Sequence, residues 1–210
     1  MAIPGYKRLV PWLLARANGP YERWMADRKR NLFGALRGVV VEIGPGAGAN
    51  LSYLKSDVRW IGVEPNSYAR PYLERAARAS GVAYEVREGS VERLPVEAAG
   101  ADAVIGTLVL CSVKDPGAAL REIQRVLKPG GRYAFIEHVA APAGTWRRRL
   151  QRWVRPAWRV VADGCCPDRE TLQAIRAAGF ARVEAEEFLA PAGLVAPHAA
   201  GIAVKEAASA

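Results

Sequence analysis

A mainly parallel α/β sheet covered by helices on both faces is the fold class predicted by this 210-residue sequence. Three observations predict it: short β-branched runs alternate with amphipathic stretches, the first run ends in a glycine cluster, and an acidic residue closes the second run. The length suits one compact domain. It divides into an N-terminal helical cap over 1–37 and a main domain over 38–210 carrying a helical insert near 141–166.

From Gly19 to Arg37, Tyr21, Trp24, Met25, Leu32, Phe33 and Leu36 recur at helical spacings, which predicts a helix laid against the main body. Val39-Val40-Val41-Glu42-Ile43 is β-branched and almost wholly apolar, as a strand buried on both faces of a parallel sheet is. A helix over 49–55, a strand over 60–64, a helix over 67–79 and strands over 83–87 and 103–109 continue the alternation. Asp115-Pro116 caps a helix whose Leu120, Ile123, Val126 and Leu127 share a face, and Lys128-Pro129-Gly130-Gly131 stops it. Tyr133 to Glu137 is the next strand. An arginine-rich helix around 145–159, a helix over 169–178 closed by Gly179, and strands near 182–188 and 201–205 complete the series.

Half of the residues are apolar and 24% are charged, an ordinary globular composition. The formal charge of +9 invites an anionic partner, but arginine excess on solvated helix faces accounts for it equally well. Pro11 and Arg16 interrupt the N-terminal apolar run, which argues against a signal peptide. No run approaches the roughly 20 apolar residues of a membrane span. Cys111 and the adjacent Cys165 and Cys166 make no disulfide framework, so reduced thiols and a cytoplasmic location are expected.

After the first strand the chain runs Glu42-Ile43-Gly44-Pro45-Gly46-Ala47-Gly48-Ala49-Asn50. Glycines allow a sharp turn and close backbone approach to a nucleotide, and Glu64 at the end of the second strand can accept both ribose hydroxyls. Gly44, Gly46 and Ala49 also satisfy the dinucleotide fingerprint, so the loop alone does not separate S-adenosylmethionine (SAM) from NAD. Two features favour SAM: a single sheet uses the whole length, and Glu42 adds an anion that suits a cationic methionine end and would repel a pyrophosphate.

The runs EIGPGAGANLSYL, EPN at 64–66, LPVEAAGADAVIGTLVL and RVLKPGGRYAFIEHV resemble the motifs of class I SAM-dependent methyltransferases. More narrowly, YERWMADRKRNLF, TLVLCSVKDP, FIEHV, ADGCCPDRET and APHAAGIAVK resemble the methyltransferase-like thiol S-methyltransferases, over roughly residues 20 to 205. The resemblance implies a Rossmann-like seven-stranded sheet with an antiparallel last strand, SAM across the carboxyl ends of the first strands, and a small thiol acceptor. By position it implies that Gly44, Gly46 and Gly48 hold the methionine part and that Glu64 takes the ribose, with Glu42, Asn50, Pro65 and Asn66 also among the cofactor-binding residues. Ser90, Val91, Glu92 and Leu94 then lie near the adenine, and Thr107 and Leu108 form the floor. Ser90 stands where many relatives carry an aspartate. Longer relatives begin with a hydrophobic anchor where this chain has only Ile3 to Leu14, so membrane attachment is expected to be weak and peripheral at most.

Methyl transfer from a sulfonium is an in-line displacement in which alignment is most of the task. His138, at the carboxyl edge of the fifth strand, is the candidate proton acceptor, and Asp163 is a candidate to orient it or the acceptor. The adjacent Cys165 and Cys166 are not matched by a second cysteine pair and the chain has only two histidines, so no metal is expected. In the insert, Leu150, Trp153 and Val154 share a face, which predicts a lid over the acceptor; the same aromatic and cationic mixture suits RNA or anionic lipid. A small-molecule acceptor is favoured over nucleic acid because no target-base motif such as Asn-Pro-Pro-Tyr is present. Lipid, quinone or phenol methylation, an RNA methyltransferase and a non-catalytic SAM-binding protein are the alternatives.

Overall fold

The computed structural model describes residues 19–208; the N-terminal segment around Ile3 to Leu14, including its expected membrane contact, lies outside the described residues. The elements run α1 (Gly19–Phe33), β1 (Val39–Ile43), β2 (Arg59–Val63), α2 (Arg70–Ser80), β3 (Ala83–Arg87), β4 (Ala101–Thr107), α3 (Pro116–Val126), β5 (Leu127–His138), α4 (Trp146–Val161), α5 (Thr171–Arg176), β6 (Arg182–Leu189) and β7 (Pro197–Val204).

The seven strands form one sheet in the order β3-β2-β1-β4-β5-β7-β6. The pairs from β3 to β5 are parallel. β7 slots between β5 and β6 and runs antiparallel to both, as expected of the last strand.

Alternation in the central strands divides the core. Val41, Ile43, Val104 and Phe135 face α3 and α5 on one side; Val40, Trp60, Ile105 and Ile136 face α1 and α2 on the other. Trp60 lies over Gly62, where a Cβ would come within 2.2 Å of the indole. The β1 end is thereby fixed in place, because Trp60 also donates its indole N–H to Glu42.

Several helices are shorter than the spacing predicts, α5 among them, which covers only Thr171–Arg176 of the expected 169–178. Over 49–55 the chain makes only a 3-10 turn at Leu51–Tyr53, because Asn50 turns its amide inward and Leu54 leaves in extended backbone. The first helix stops at Phe33, where Gly34 and a turn closed from Leu36 N–H to Phe33 C=O redirect the chain into β1. β7 is longer than predicted, beginning at Pro197, because its small residues Ala199, Ala200 and Gly201 let β5 and β6 close on it. No helix among the described residues is long and apolar enough to cross a membrane.

Candidate active site

The glycine loop after β1 is built by backbone demand. Gly44, Gly46 and Gly48 all have positive φ (55°, 56° and 84°), a region that costs an L-residue roughly 1–2 kcal/mol. Space excludes side chains as well: a Cβ on Gly44 would come within 2.9 Å of Val109, and one on Gly48 within 2.8 Å of Ala76. Glu64 ties the loop to β2, accepting the Gly46 N–H on Oε2 (3.0 Å) and the Asn66 N–H on Oε1 (2.9 Å). Each oxygen keeps a further lone pair for a ribose hydroxyl. Burial raises the Glu64 carboxyl against the pull of those two donors.

Glu42 lies beneath the loop, buried at the end of β1. Asn50 Nδ2 donates to its Oε1 (2.8 Å) and Trp60 Nε1 to its Oε2 (2.9 Å). Burial pushes its carboxyl up to about 6. Asn50 also donates to Thr107 Oγ1 (3.0 Å), while its own Oδ1 is buried without a partner among the described residues. That orphaned acceptor, the positive-φ glycines and the free lone pairs of Glu64 fit SAM. At the floor, Leu108 holds φ 58° and donates its N–H to Ile136 C=O. Ser90 donates to Glu92 Oε2 (2.7 Å), and Glu92 Oε1 accepts the Lys114 N–H, so both polar side chains are engaged with each other and the backbone. Val91 and Leu94 are buried beside them.

Around the other end of the sheet edge, side chains from remote segments converge. Glu137, fully buried near the end of β5, accepts the N–H groups of Val109 and Leu110 on one oxygen and of Cys111 on the other (3.0, 2.9 and 3.3 Å). One carboxyl thus shapes the whole turn after β4, and burial raises it to about 7. His138 follows. Its Nε2 lies 3.1 Å from Cys166 C=O and its Nδ1 3.7 Å from Cys165 Sγ. Cys165 Sγ also receives the Trp158 indole N–H (3.4 Å). Cys111 Sγ donates to Leu108 C=O (3.4 Å). The donor atoms of Cys111, His138 and Cys165 all lie within 4.8 Å of one another.

The thiol of Cys111 and the imidazole hold Cys165 well below the ordinary thiol range. Burial pulls the His138 imidazole down, but the Cys165 sulfur and Glu137 outweigh it and it titrates above its usual range. Arg169 fastens the cysteine segment to the turn through Leu110 C=O (2.6 Å) and Val113 C=O (2.7 Å). The Tyr21 hydroxyl of α1 is buried over this region, feels Glu137 and Cys111, and has no hydrogen-bond partner among the described residues.

Residues 41–135 match the family model of the methyltransferase domain. Human (Homo sapiens) thiol S-methyltransferase TMT1A is 36% identical over 95% of this chain and 87% of its own length. Human thiol S-methyltransferase TMT1B is 35% identical over 96% and 88%. The chain belongs to this methyltransferase family. The solved structure of the [4+2]-cyclase SpnF has a TM-score of 0.69 at 21% identity, covering 89% of this chain and 81% of that one, a likeness of fold. The protein is thus a SAM-dependent methyltransferase with a Rossmann-like sheet.

In this methyltransferase the expected cofactor residues Gly44, Gly46, Gly48, Asn50, Glu64, Asn66, Thr107 and Leu108 gather along the carboxyl ends of β1, β2 and β4. The two candidate catalytic residues are not paired. His138 bonds the Cys165–Cys166 segment, whereas Asp163, at φ 47°, directs its charge toward Glu64. α4 differs most from expectation. Its buried residues are Arg148 and Gln151, while Trp153 is 80% exposed and Leu150 37% exposed. The polar pair wins the inward position through its bonds: Arg148 to Ala141 C=O and Glu170, Gln151 to Ala141 N–H and Leu194 C=O. Sequence reasoning missed Glu137, Cys111, Arg169 and Tyr21 as site residues. Glu137 alone left a signal, as a carboxylate in an otherwise apolar strand.

Proposed function

We propose that this methyltransferase methylates the sulfur of a small thiol, with the acceptor at the ends of β4 and β5. The observation that carries the reading is the sulfur-and-imidazole cluster of Cys111, His138 and Cys165, which adjoins Leu108 of the cofactor floor and lies near Tyr21 of α1. The two human relatives named as thiol S-methyltransferases support it.

When bound, SAM supplies an electrophilic methyl group on a sulfonium. The glycine loop, Asn50 and Glu64 orient the donor, with Pro65 and Asn66 continuing the ribose wall and Ser90, Val91 and Glu92 the adenine wall. A free thiol titrates near 8.5, so little proton transfer is needed before attack. His138 reaches the acceptor only through the sulfur of Cys165, because both ring nitrogens face the cysteine segment. Asp163 acts on the ribose side, through its field on Glu64. The cap over 1–37 contributes α1 as a cover, excluding water from the displacement.

We also infer peripheral contact of the cytoplasmic enzyme with an anionic membrane through α4. Trp146, Leu150, Trp153, Ala157 and Val160 recur at spacings that place them on one side of the helix, and all are exposed. Arg149, Arg152 and Arg159 flank the strip, the arrangement of an interfacial helix and not of a nucleic-acid track.

A panel of thiols, phenols, quinones, amines and RNA with methyl-labelled SAM tests the acceptor. Label on hydrogen sulfide or an alkyl or aryl thiol is expected; exclusive transfer to any other class overturns the reading. Sedimentation with phosphatidylserine vesicles, against phosphatidylcholine vesicles and RNA, tests α4. Selective capture by the anionic vesicles is expected, and salt-resistant RNA binding instead overturns the membrane assignment.

A further inference from the structure

The zinc argument changes once the chain is folded. Along the sequence Cys111 stands 54 residues before Cys165, but the fold brings it, from the turn after β4, together with Cys165 and His138. We propose that Cys111 Sγ, Cys165 Sγ and His138 Nδ1 form a three-ligand site for Zn²⁺, whose fourth position receives the sulfur of the acceptor.

The distances fit the ion. Tetrahedral zinc, with bonds of about 2.3 Å to sulfur and about 2.0–2.1 Å to nitrogen, separates a sulfur and a nitrogen ligand by about 3.6 Å. Cys165 Sγ and His138 Nδ1 are 3.7 Å apart, and all three donors fall within 4.8 Å. The outer contacts are those a ligating set needs. His138 places Nε2 against Cys166 C=O at 3.1 Å, so Nε2 carries the proton and Nδ1 is the ring nitrogen left to ligate; Cys165 Sγ lies across the ring, 3.7 Å from Nδ1 and 3.9 Å from Nε2, and a small turn of the imidazole aims Nδ1 at the ion. Trp158 donates its indole N–H to Cys165 Sγ at 3.4 Å, and the Ser112 hydroxyl lies 3.6 Å from Cys111 Sγ, where each can hydrogen-bond a metal-bound thiolate. Two thiolates balance the dication, and Glu137 beneath adds negative charge.

The donor set also contrasts with a closed structural site, which has four protein ligands. Here Cys111 and His138 are buried and Cys165 is partly open, so a fourth ligand enters from the Cys165 side. Two cofactor-facing segments bracket that side: Cys111 Sγ lies 3.4 Å from Leu108 C=O of the floor, and Asp163 stands two residues before Cys165. An acceptor thiol would lose its S–H proton to solvent as its sulfur joins the metal. That sulfur then forms the S–CH₃ bond as the sulfonium C–S bond breaks, and the neutral thioether leaves as a weak ligand.

The donor geometry carries the metal site; the fourth position rests on the thiol reading above. The test uses the whole chain, purified under reductant, stripped with a chelator and reloaded with Zn²⁺ or Co²⁺. One metal per chain by elemental analysis and a Co²⁺ spectrum with thiolate charge-transfer bands are expected, with a raised melting temperature on reloading. Cys111→Ala and Cys165→Ser should abolish stoichiometric loading, and Trp158→Phe should weaken it about 10–100-fold, as loss of an outer-shell partner does. Cys166→Ser should retain the spectrum. Hydrogen sulfide or an alkyl thiol added without SAM should shift the Co²⁺ bands. A wild-type chain that takes up no stoichiometric metal, or whose Co²⁺ spectrum survives loss of both cysteines, overturns the site; thiol turnover by such a metal-free chain leaves the acceptor assignment standing. Loading with no response to thiols overturns the fourth-position assignment.

Discussion

The cofactor end and the proposed acceptor end of this methyltransferase sit on the same sheet edge and are built in opposite ways. The cofactor end is made by backbone: three positive-φ glycines, a strained Leu108, and the Glu64 carboxylate held by the backbone N–H groups of Gly46 and Asn66. The acceptor end is made by side chains from four distant segments, with Cys111, Glu137, Cys165 and Tyr21 each arriving from a different element. The first kind of construction is rigid and local. The second is adjustable, since any one side chain can change without redrawing a loop.

That contrast can be broken at its strongest point. Gly44→Val forces an L-residue into a left-handed turn costing roughly 1–2 kcal/mol and pushes into Val109 as well, so SAM affinity should fall by about 100-fold or more while the circular dichroism spectrum persists. Retained affinity by calorimetry would show that the loop is less fixed than its backbone implies. Glu64→Ala should weaken SAM binding by about 1.5–3 kcal/mol, the range for hydrogen bonds to a charged group.

Glu42 sharpens the comparison through pH. Its carboxyl stands near 6 in the native state against a reference of 4.5, so its contribution to stability is present in full below pH 4.5 and is lost as pH rises through about 6. The stability of the wild type relative to Glu42→Gln should therefore decline by about 2 kcal/mol between pH 4.5 and 7, read by denaturant unfolding. A difference independent of pH would mean that Glu42 does not change its protonation there. The smallest effect on chemistry belongs to α4: Trp146→Ser with Trp153→Ser should abolish anionic-vesicle binding yet leave turnover of a water-soluble thiol unchanged.

The same contrast explains what was legible beforehand. The loop from Gly44 to Gly48 and the acid at Glu64 are contiguous signals, each dictated by a local need, and the sheet followed from β-branched runs such as 39–43. The acceptor end offered no such continuity. Nothing near Cys111 announces that it will meet Cys165, and nothing around Asp163 announces that its charge will be felt by Glu64. In α4, amphipathicity showed that one face is apolar but not which way it points. The direction was decided by Arg148 and Gln151, whose bonds to Ala141, Glu170 and Leu194 could not be read from periodicity.

α4 reverses the usual division of labour in a helix, because its polar residues anchor it and its apolar residues are left over. Foundation and façade are therefore separable. The strip from Trp146 to Val160 can drift or be redesigned with little consequence for folding, since Trp146 and Trp153 contribute almost nothing to the core beneath. Changing those few side chains alters the exposed surface and leaves the core alone, and a version made wholly hydrophilic on that side would be the tractable form for crystallisation and solution NMR.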